Sequence, residues 1–242
     1  MGIERHWIEV SGIPVEIHRK AIKNLHVGVY PPDGRVRVAA PERLDDDAVR
    51  LALVSRLSWI RRQQQAFNDQ PRESQREMVS GESHYFRGRR YRLDVIEAPG
   101  RAEVHQTRNG WLELQVSPGT GIEGRRCVLE RWYRQQMRQL LPELLATWEP
   151  VVGERVAECR IKRMKTRWGS CNIEARRIWL NLELIKKPPR CLEYILVHEM
   201  VHLLERHHTE RFRSLIDRLL PDWRVRRDEL NSAPLAHDDW DY

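Results

Sequence analysis

The chain has 242 residues, of which 40% are hydrophobic and 32% are charged. It can therefore bury a core without disulfides, and four cysteines without CxxC spacing argue against a cysteine metal site. The net charge of +7 indicates either an anionic partner, such as nucleic acid or a nucleotide, or a solvated basic surface. No apolar run reaches the roughly 18 residues of a membrane span, and the charged N-terminus is unlike a signal peptide. We therefore expect a cytoplasmic protein of undetermined oligomeric state, with no membrane partner.

Short strands are predicted for the first forty residues, where apolar and polar residues alternate around a turn signal at 31–34. A helix is predicted from about residue 45 to 67, because three aspartates precede apolar residues at helical spacing. The polar stretch 68–83 predicts a loop. Alternating apolar residues between 85 and 116 predict a second group of strands.

The pattern becomes helical from Arg125, and Pro142 is predicted either to kink this helix or to start a second one. Two strands, 161–165 and 177–182, are predicted next, on either side of a turn at Gly169–Ser170. Together they would form a small β-hairpin.

The last part of the chain is predicted to be helical over residues 190–206 and 209–220. A β-rich part followed by a mainly helical part predicts an α+β fold. We expect a β-rich N-terminal domain with one helix, residues 1–120, packed on a mainly helical domain, residues 121–231, that contains the hairpin. Residues 232–242 are predicted to be a loose tail.

The most informative motif is His198-Glu199-Met200-Val201-His202, which lies inside a predicted helix. Histidines four residues apart share one helix face, so both imidazoles can bind one ion, and Glu199 can take a proton from a metal-bound water. Zn²⁺ binds imidazole well and lowers the pKa of its water to about 7. The alternative is a pair of hydrogen-bonded core histidines. The motif predicts a zinc-dependent hydrolase, although another divalent metal could take the same site.

The third metal ligand is predicted to be His208, six residues after the second histidine of the motif. That spacing equals the one in HExxHxxGxxH proteases, but here no glycine marks the turn. His207 and a remote carboxylate, Asp228 or Glu229, remain alternatives. Glu205 would approach the ion from a poor angle, so we expect it either to orient a ligand imidazole or to form a surface salt bridge.

A basic segment precedes the predicted hairpin turn, and it suggests a substrate-binding site. Gly169 indicates a tight turn or a close backbone approach. If the hairpin packs beside the motif helix, Arg167 could bind a substrate anion or stabilise an oxyanion, and Trp168 and Asn181 would also contact substrate. In the alternative interpretation Trp168 lies in the core, Arg167 pairs with a carboxylate, and Asn181 satisfies backbone groups.

The segment 163–171 reads RMKTRWGSC, Leu180–Asn181 follows, and residues 198–212 read HEMVHLLERHHTERF. These motifs resemble the YgjP-like metallopeptidase-domain family, which is related to zinc proteases of the SprT type, over about residues 10 to 231. The resemblance implies a zincin-like domain in which the three histidines named above bind zinc and the motif glutamate is the catalytic base. His207 is a departure, since many relatives have Asn there, and it adds a competing nitrogen.

Three functions remain open at this point. The first is a metallopeptidase acting on peptides or proteins, with the strand 179–182 pairing with an extended substrate. The second is a nucleoside triphosphate pyrophosphohydrolase that uses a divalent metal at the same site, which the many arginines would suit. The third is a non-enzymatic module that associates with nucleic acid and holds a structural metal.

Overall fold

The computed structural model describes residues 5–30, 34–69, 76–164 and 167–232. It has an α+β fold, as predicted, with helices and three small mixed sheets in the described residues. The predicted tail, except its first residue, lies outside the described residues. None of the described helices is long and apolar enough to cross a bilayer. The described residues divide into two compact units, the first covering residues 5–69 and the second residues 76–232.

The first unit contains one four-stranded sheet and two helices. The sheet has the order β1-β2-β4-β3, and only β2 and β4 pair in parallel. The alternating residues Val15, Ile17, Val36 and Val38 are buried in its core, as the period of two predicts. The predicted single helix is two helices, separated at residues 55–56. The elements are β1 (Arg5–Val10), β2 (Ile13–Lys20), β3 (His26–Tyr30), β4 (Arg35–Pro41), α1 (Asp46–Val54) and α2 (Leu57–Asp69).

The second unit begins with another four-stranded sheet, in the order β5-β6-β8-β7, followed by the long helix α3. Leu93 and Leu112 of this sheet share one buried cluster with Leu129 and Tyr133 of α3. Because sheet and helix form one core, the division into units lies earlier than the domain boundary predicted near residue 120. The helix continues through Pro142 as one element. The elements are β5 (Ser83–Phe86), β6 (Arg89–Glu97), β7 (Glu103–Gln106), β8 (Trp111–Val116) and α3 (Ile122–Val152).

The third sheet corrects the predicted hairpin. It contains β9 (Glu158–Lys162), β10 (Gly169–Asn172) and β11 (Arg177–Asn181), in the order β10-β11-β9. Strand β9 pairs with β11 in parallel, so the two do not form a hairpin. The segment predicted as the turn belongs to β10, which pairs antiparallel with β11. The reversal falls instead between β10 and β11, where Arg176 has a φ of 47°. A strand of four small or polar residues carries no alternation that a sequence pattern could detect.

The last described elements are a 3₁₀ helix (Leu182–Lys186) and three α-helices, α4 (Pro189–Val201), α5 (Glu210–Leu219) and α6 (Trp223–Ser232). Helix α4 contacts β10, β11, α5 and α6, and nine of its 13 residues are buried. It ends at Val201, five residues before the predicted end at residue 206. The amides of Leu203 and Leu204 bond carbonyls three residues back, so the helix tightens and the chain leaves its axis.

Candidate metal centre

Two histidines lie on one face at the end of α4. His198 is in the last turn of the helix, and His202 is its C-cap. Their ring centroids are 5.1 Å apart, because residues four apart in a helix lie one above the other. Both rings are partly buried. The predicted shared face of the motif is therefore present.

His208 reaches the same place because the chain reverses between α4 and α5. The reversal needs no left-handed backbone, since no residue from 203 to 208 has a positive φ. Thr209 then caps α5 by accepting a hydrogen bond from the amide of Phe212. The ring of His208 lies with its centroid 5.0 Å from that of His198 and 4.8 Å from that of His202. Arg206 and His207 thus make the turn without a glycine.

The three histidines offer nitrogens that all lie within 4.8 Å of one another. The Nε2 atoms of His198 and His208 are 3.1 Å apart. Tetrahedral zinc with Zn–N bonds of about 2.0–2.1 Å places two ligand nitrogens about 3.3 Å apart. The spacing and the imidazole chemistry of these residues therefore fit a zinc ion.

Burial keeps the rings of His198 and His202 in the state that binds a cation. Burial, together with the charges of His202 and His208, lowers the pKa of His198 to about 3. Burial also lowers the pKa of His202. Nδ1 of His202 lies 3.1 Å from the main-chain oxygen of Glu205, so an Nδ1–H donates there and leaves the Nε2 lone pair free. Neutral imidazoles are the form that a metal requires.

Phe212 is a contact that the sequence analysis did not identify. Its ring centroid lies 5.0 Å from that of His198, 4.7 Å from that of His202 and 4.7 Å from that of His208. Phe212 is buried in α5, so it restricts the orientation of all three imidazoles. The available signal was the segment 198–212 that carries the family resemblance, which ends at this residue.

Glu199 is buried beside the histidines and is only 6% exposed. Burial raises the pKa of its carboxyl to about 8, and the charge of Arg167 acts in the opposite direction. The backbone of Gly169 lies directly against its side chain. The structure thus brings the predicted catalytic residue and the first residue of β10 together.

The other ligand candidates are engaged elsewhere. Asp228 pairs with Arg227, and Glu229 pairs with Arg190. The carboxylate of Glu205 accepts a hydrogen bond from the amide of His207. The group of Glu205 that lies next to a histidine is its main-chain carbonyl, 3.1 Å from Nδ1 of His202, and not its side chain.

The three predicted substrate-binding residues have different surroundings. Arg167 is exposed and lies near enough to Glu199 to act on its charge. Trp168 is half-buried against the core, with the Lys187 ammonium 5.9 Å from its ring centroid. Arg167 is thus open to solvent, and Trp168 packs against the core.

Asn181 is a correction to the predicted substrate contact. It is 4% exposed, and its amide nitrogen donates to the carbonyls of Met164 and Arg167, both at 2.8 Å. Its amide oxygen accepts from the amides of Met164 and Glu183, at 3.3 Å and 3.2 Å. With both polar atoms used by the backbone, Asn181 holds the loop that carries Arg167 in place.

Replacing Asn181 by Ala is expected to lower the free energy of unfolding by about 1–3 kcal/mol for each buried backbone group that loses its partner. Chemical denaturation measures the loss. Asn172→Ala is the matched control, since exposed Asn172 bonds only the amide of Ala175, and it should cost about 0.5–1.5 kcal/mol. Unchanged stability in Asn181→Ala together with a raised KM would instead indicate a direct substrate contact.

Strand β11 cannot accept a substrate strand, contrary to the prediction for residues 179–182. It is the central strand of its sheet and pairs with β10 on one side and β9 on the other. Both of its edges are therefore occupied. The edge strand beside α4 is β10.

Comparisons with known proteins identify the family. No curated protein matches the sequence. Among solved structures, the crystal structure of the metallopeptidase zymogen of Pyrococcus abyssi abylysin is similar, with 20% sequence identity and a TM-score of 0.35; the match covers 37% of this chain and 90% of that chain. The family model for the YgjP-like metallopeptidase domain matches residues 23–233. The chain therefore belongs to the YgjP-like metallopeptidase domain family of metal-dependent peptidases.

Proposed function

We propose that this protein is a zinc-dependent peptidase in which His198, His202 and His208 hold the metal and Glu199 is the general base. The proposal rests on three imidazole nitrogens that lie within 4.8 Å of one another. The buried carboxylate of Glu199 follows His198 directly in α4. When bound, zinc polarises a scissile carbonyl and lowers the pKa of a water molecule. Each histidine would contribute one ring nitrogen.

Glu199 would accept a proton from the attacking water and return it to the leaving amine. A general base must be ionised to accept a proton, and the positive charge of Arg167 favours the ionised form of the Glu199 carboxyl. Arg167, exposed near this carboxylate, would bind a substrate carbonyl or a nearby acidic group. These roles follow from position and charge.

The nature of the ligands favours peptide hydrolysis over pyrophosphate release. Phosphoryl chemistry usually uses Mg²⁺, which prefers oxygen ligands, whereas imidazole suits zinc. Among the described residues, the members of the ligand cluster are three histidines, and no carboxylate is one of them. The cluster therefore supports zinc and a peptide or protein substrate.

The edge of β10 is our proposed place for the substrate main chain. The main-chain amide of Asn181 in β11 donates a hydrogen bond to the carbonyl of Trp168. Along an antiparallel strand, the main-chain N–H and C=O groups of successive residues point alternately toward the partner strand and away from it. Gly169 and Cys171 consequently direct their N–H and C=O groups away from β11, toward the free edge. A structure with a bound peptide hydroxamate tests this, and a peptide paired anywhere else would contradict it.

An activity screen tests the proposed function. The zinc-loaded protein is incubated with a mixed peptide library and, separately, with the common nucleoside triphosphates. We expect peptide cleavage that stops on chelation and returns with zinc, and no pyrophosphate release. Nucleotide hydrolysis without peptide cleavage would overturn the proposal, and so would salt-sensitive nucleic-acid binding with no hydrolysis of either substrate.

A further inference from the structure

Gly169 leaves no room for a side chain, because Glu199 occupies the space. A Cβ atom placed on Gly169 would lie 2.6 Å from Oε1 of Glu199, 2.7 Å from its Cγ and 2.9 Å from its Cδ. Carbon atoms that are not bonded prefer separations of about 3.5–4.0 Å. A methyl group at this position therefore requires the Glu199 side chain or the strand to move.

The backbone conformation of Gly169 does not by itself call for glycine. Gly169 is not among the residues with positive φ, and it lies in a strand, paired with Leu180. An L-residue could adopt this conformation without strain. Of the two sequence-based explanations for this glycine, a tight turn or a close approach, the geometry selects the close approach.

Neither partner in this contact can move aside easily. Glu199 is buried in the most enclosed helix of its unit, and the clash would involve its Cγ as well as its terminal oxygen. The strand is held by pairing with β11 and by the bond from the Asn181 amide to the Trp168 carbonyl. Close-packed interiors transmit such a displacement rather than absorb it.

We propose that Gly169 is a positioning residue: its lack of a side chain gives the Glu199 carboxylate its place beside the three histidines. The expected loss of activity rests on the proposed function, whereas the expected loss of stability rests only on the contact between Gly169 and Glu199. A base displaced by about 1 Å can lose about 10²-fold in rate.

Gly169→Ala is the direct test. We expect kcat for peptide cleavage to fall by about 10²-fold and KM to change less than kcat, because Ala keeps the backbone groups of β10. Zinc content should stay close to that of the wild type, because no histidine is changed. Gly121→Ala is the matched control, since a Cβ there meets nothing within 4 Å and its φ is −72°; its kcat should not change. Wild-type kcat in Gly169→Ala would overturn the proposal.

A stability measurement separates this inference from the proposed function. Gly169→Ala is made in the wild type and in a Glu199→Ala background, where the clashing atoms are absent, and thermal unfolding is followed for all four proteins. We expect the added methyl to lower the unfolding temperature in the wild type and to have little effect in the Glu199→Ala background. Equal losses in both backgrounds would refute the contact, and this readout is valid even if the protein cleaves no peptide.

Discussion

Replacing Glu199 by Gln is expected to lower kcat for peptide cleavage by about 10²–10⁴-fold, the usual contribution of a general base. Gln has nearly the same shape and keeps a hydrogen-bonding oxygen, so it should fit the buried space beside Gly169. It cannot accept the proton from water. Since Glu199 is not one of the three clustered residues, zinc should stay bound, and metal analysis of the purified variant checks this.

Glu174→Gln is the matched control for this experiment. Glu174 lies exposed in the turn between β10 and β11, so the same chemical change there should leave kcat unaltered. If Glu199→Gln cleaves peptides at the wild-type rate with zinc bound, Glu199 is not the base, and the mechanism proposed above is wrong.

The largest effect on metal binding is expected for His208→Ala. This variant leaves two imidazoles, both from the end of one helix, and removes the nitrogen 3.1 Å from Nε2 of His198. Loss of a residue that merely orients a ligand costs about 10–100-fold in affinity, so loss of a ligand should cost more than about 100-fold. Competition with a zinc chelator of known affinity measures the change.

His207→Ala distinguishes the two adjacent histidines. The His207 main-chain amide bonds the carboxylate of Glu205, and an alanine keeps that bond. Its side chain is not in the cluster of three, so zinc affinity should stay within a few-fold of the wild type. A large loss for His207→Ala and none for His208→Ala would exchange their roles.

The residues of the candidate centre could be predicted because a helix has a fixed period. Two histidines four apart must share a face, and this holds for His198 and His202 in the structure. The α+β fold and the resemblance to the YgjP-like family are confirmed. The assignment of the three histidines as ligands, and of Glu199 as base, stays a prediction until the variants are measured.

The predictions were weaker wherever distant segments meet. Asn181 looked like a substrate contact, but its amide is used up by the backbone of a loop 14 and 17 residues away. The strand of Asn181 looked like a docking edge, but β9 and β10 cover both of its sides. Strand order and hydrogen-bond partners depend on contacts between segments far apart in sequence, which no local pattern encodes.

What the sequence alone determined about this protein is local and periodic: the fold class, the pair of histidines on one helix face and the neighbouring carboxylate. The tertiary structure decided what those groups meet. It brought His208 into the cluster through a turn without glycine, placed β10 at the sheet edge, and put Gly169 against Glu199. The physical reason is that the period of a helix depends only on residues close together in the sequence. Close packing between β10 and α4 arises only when the whole unit buries its shared core.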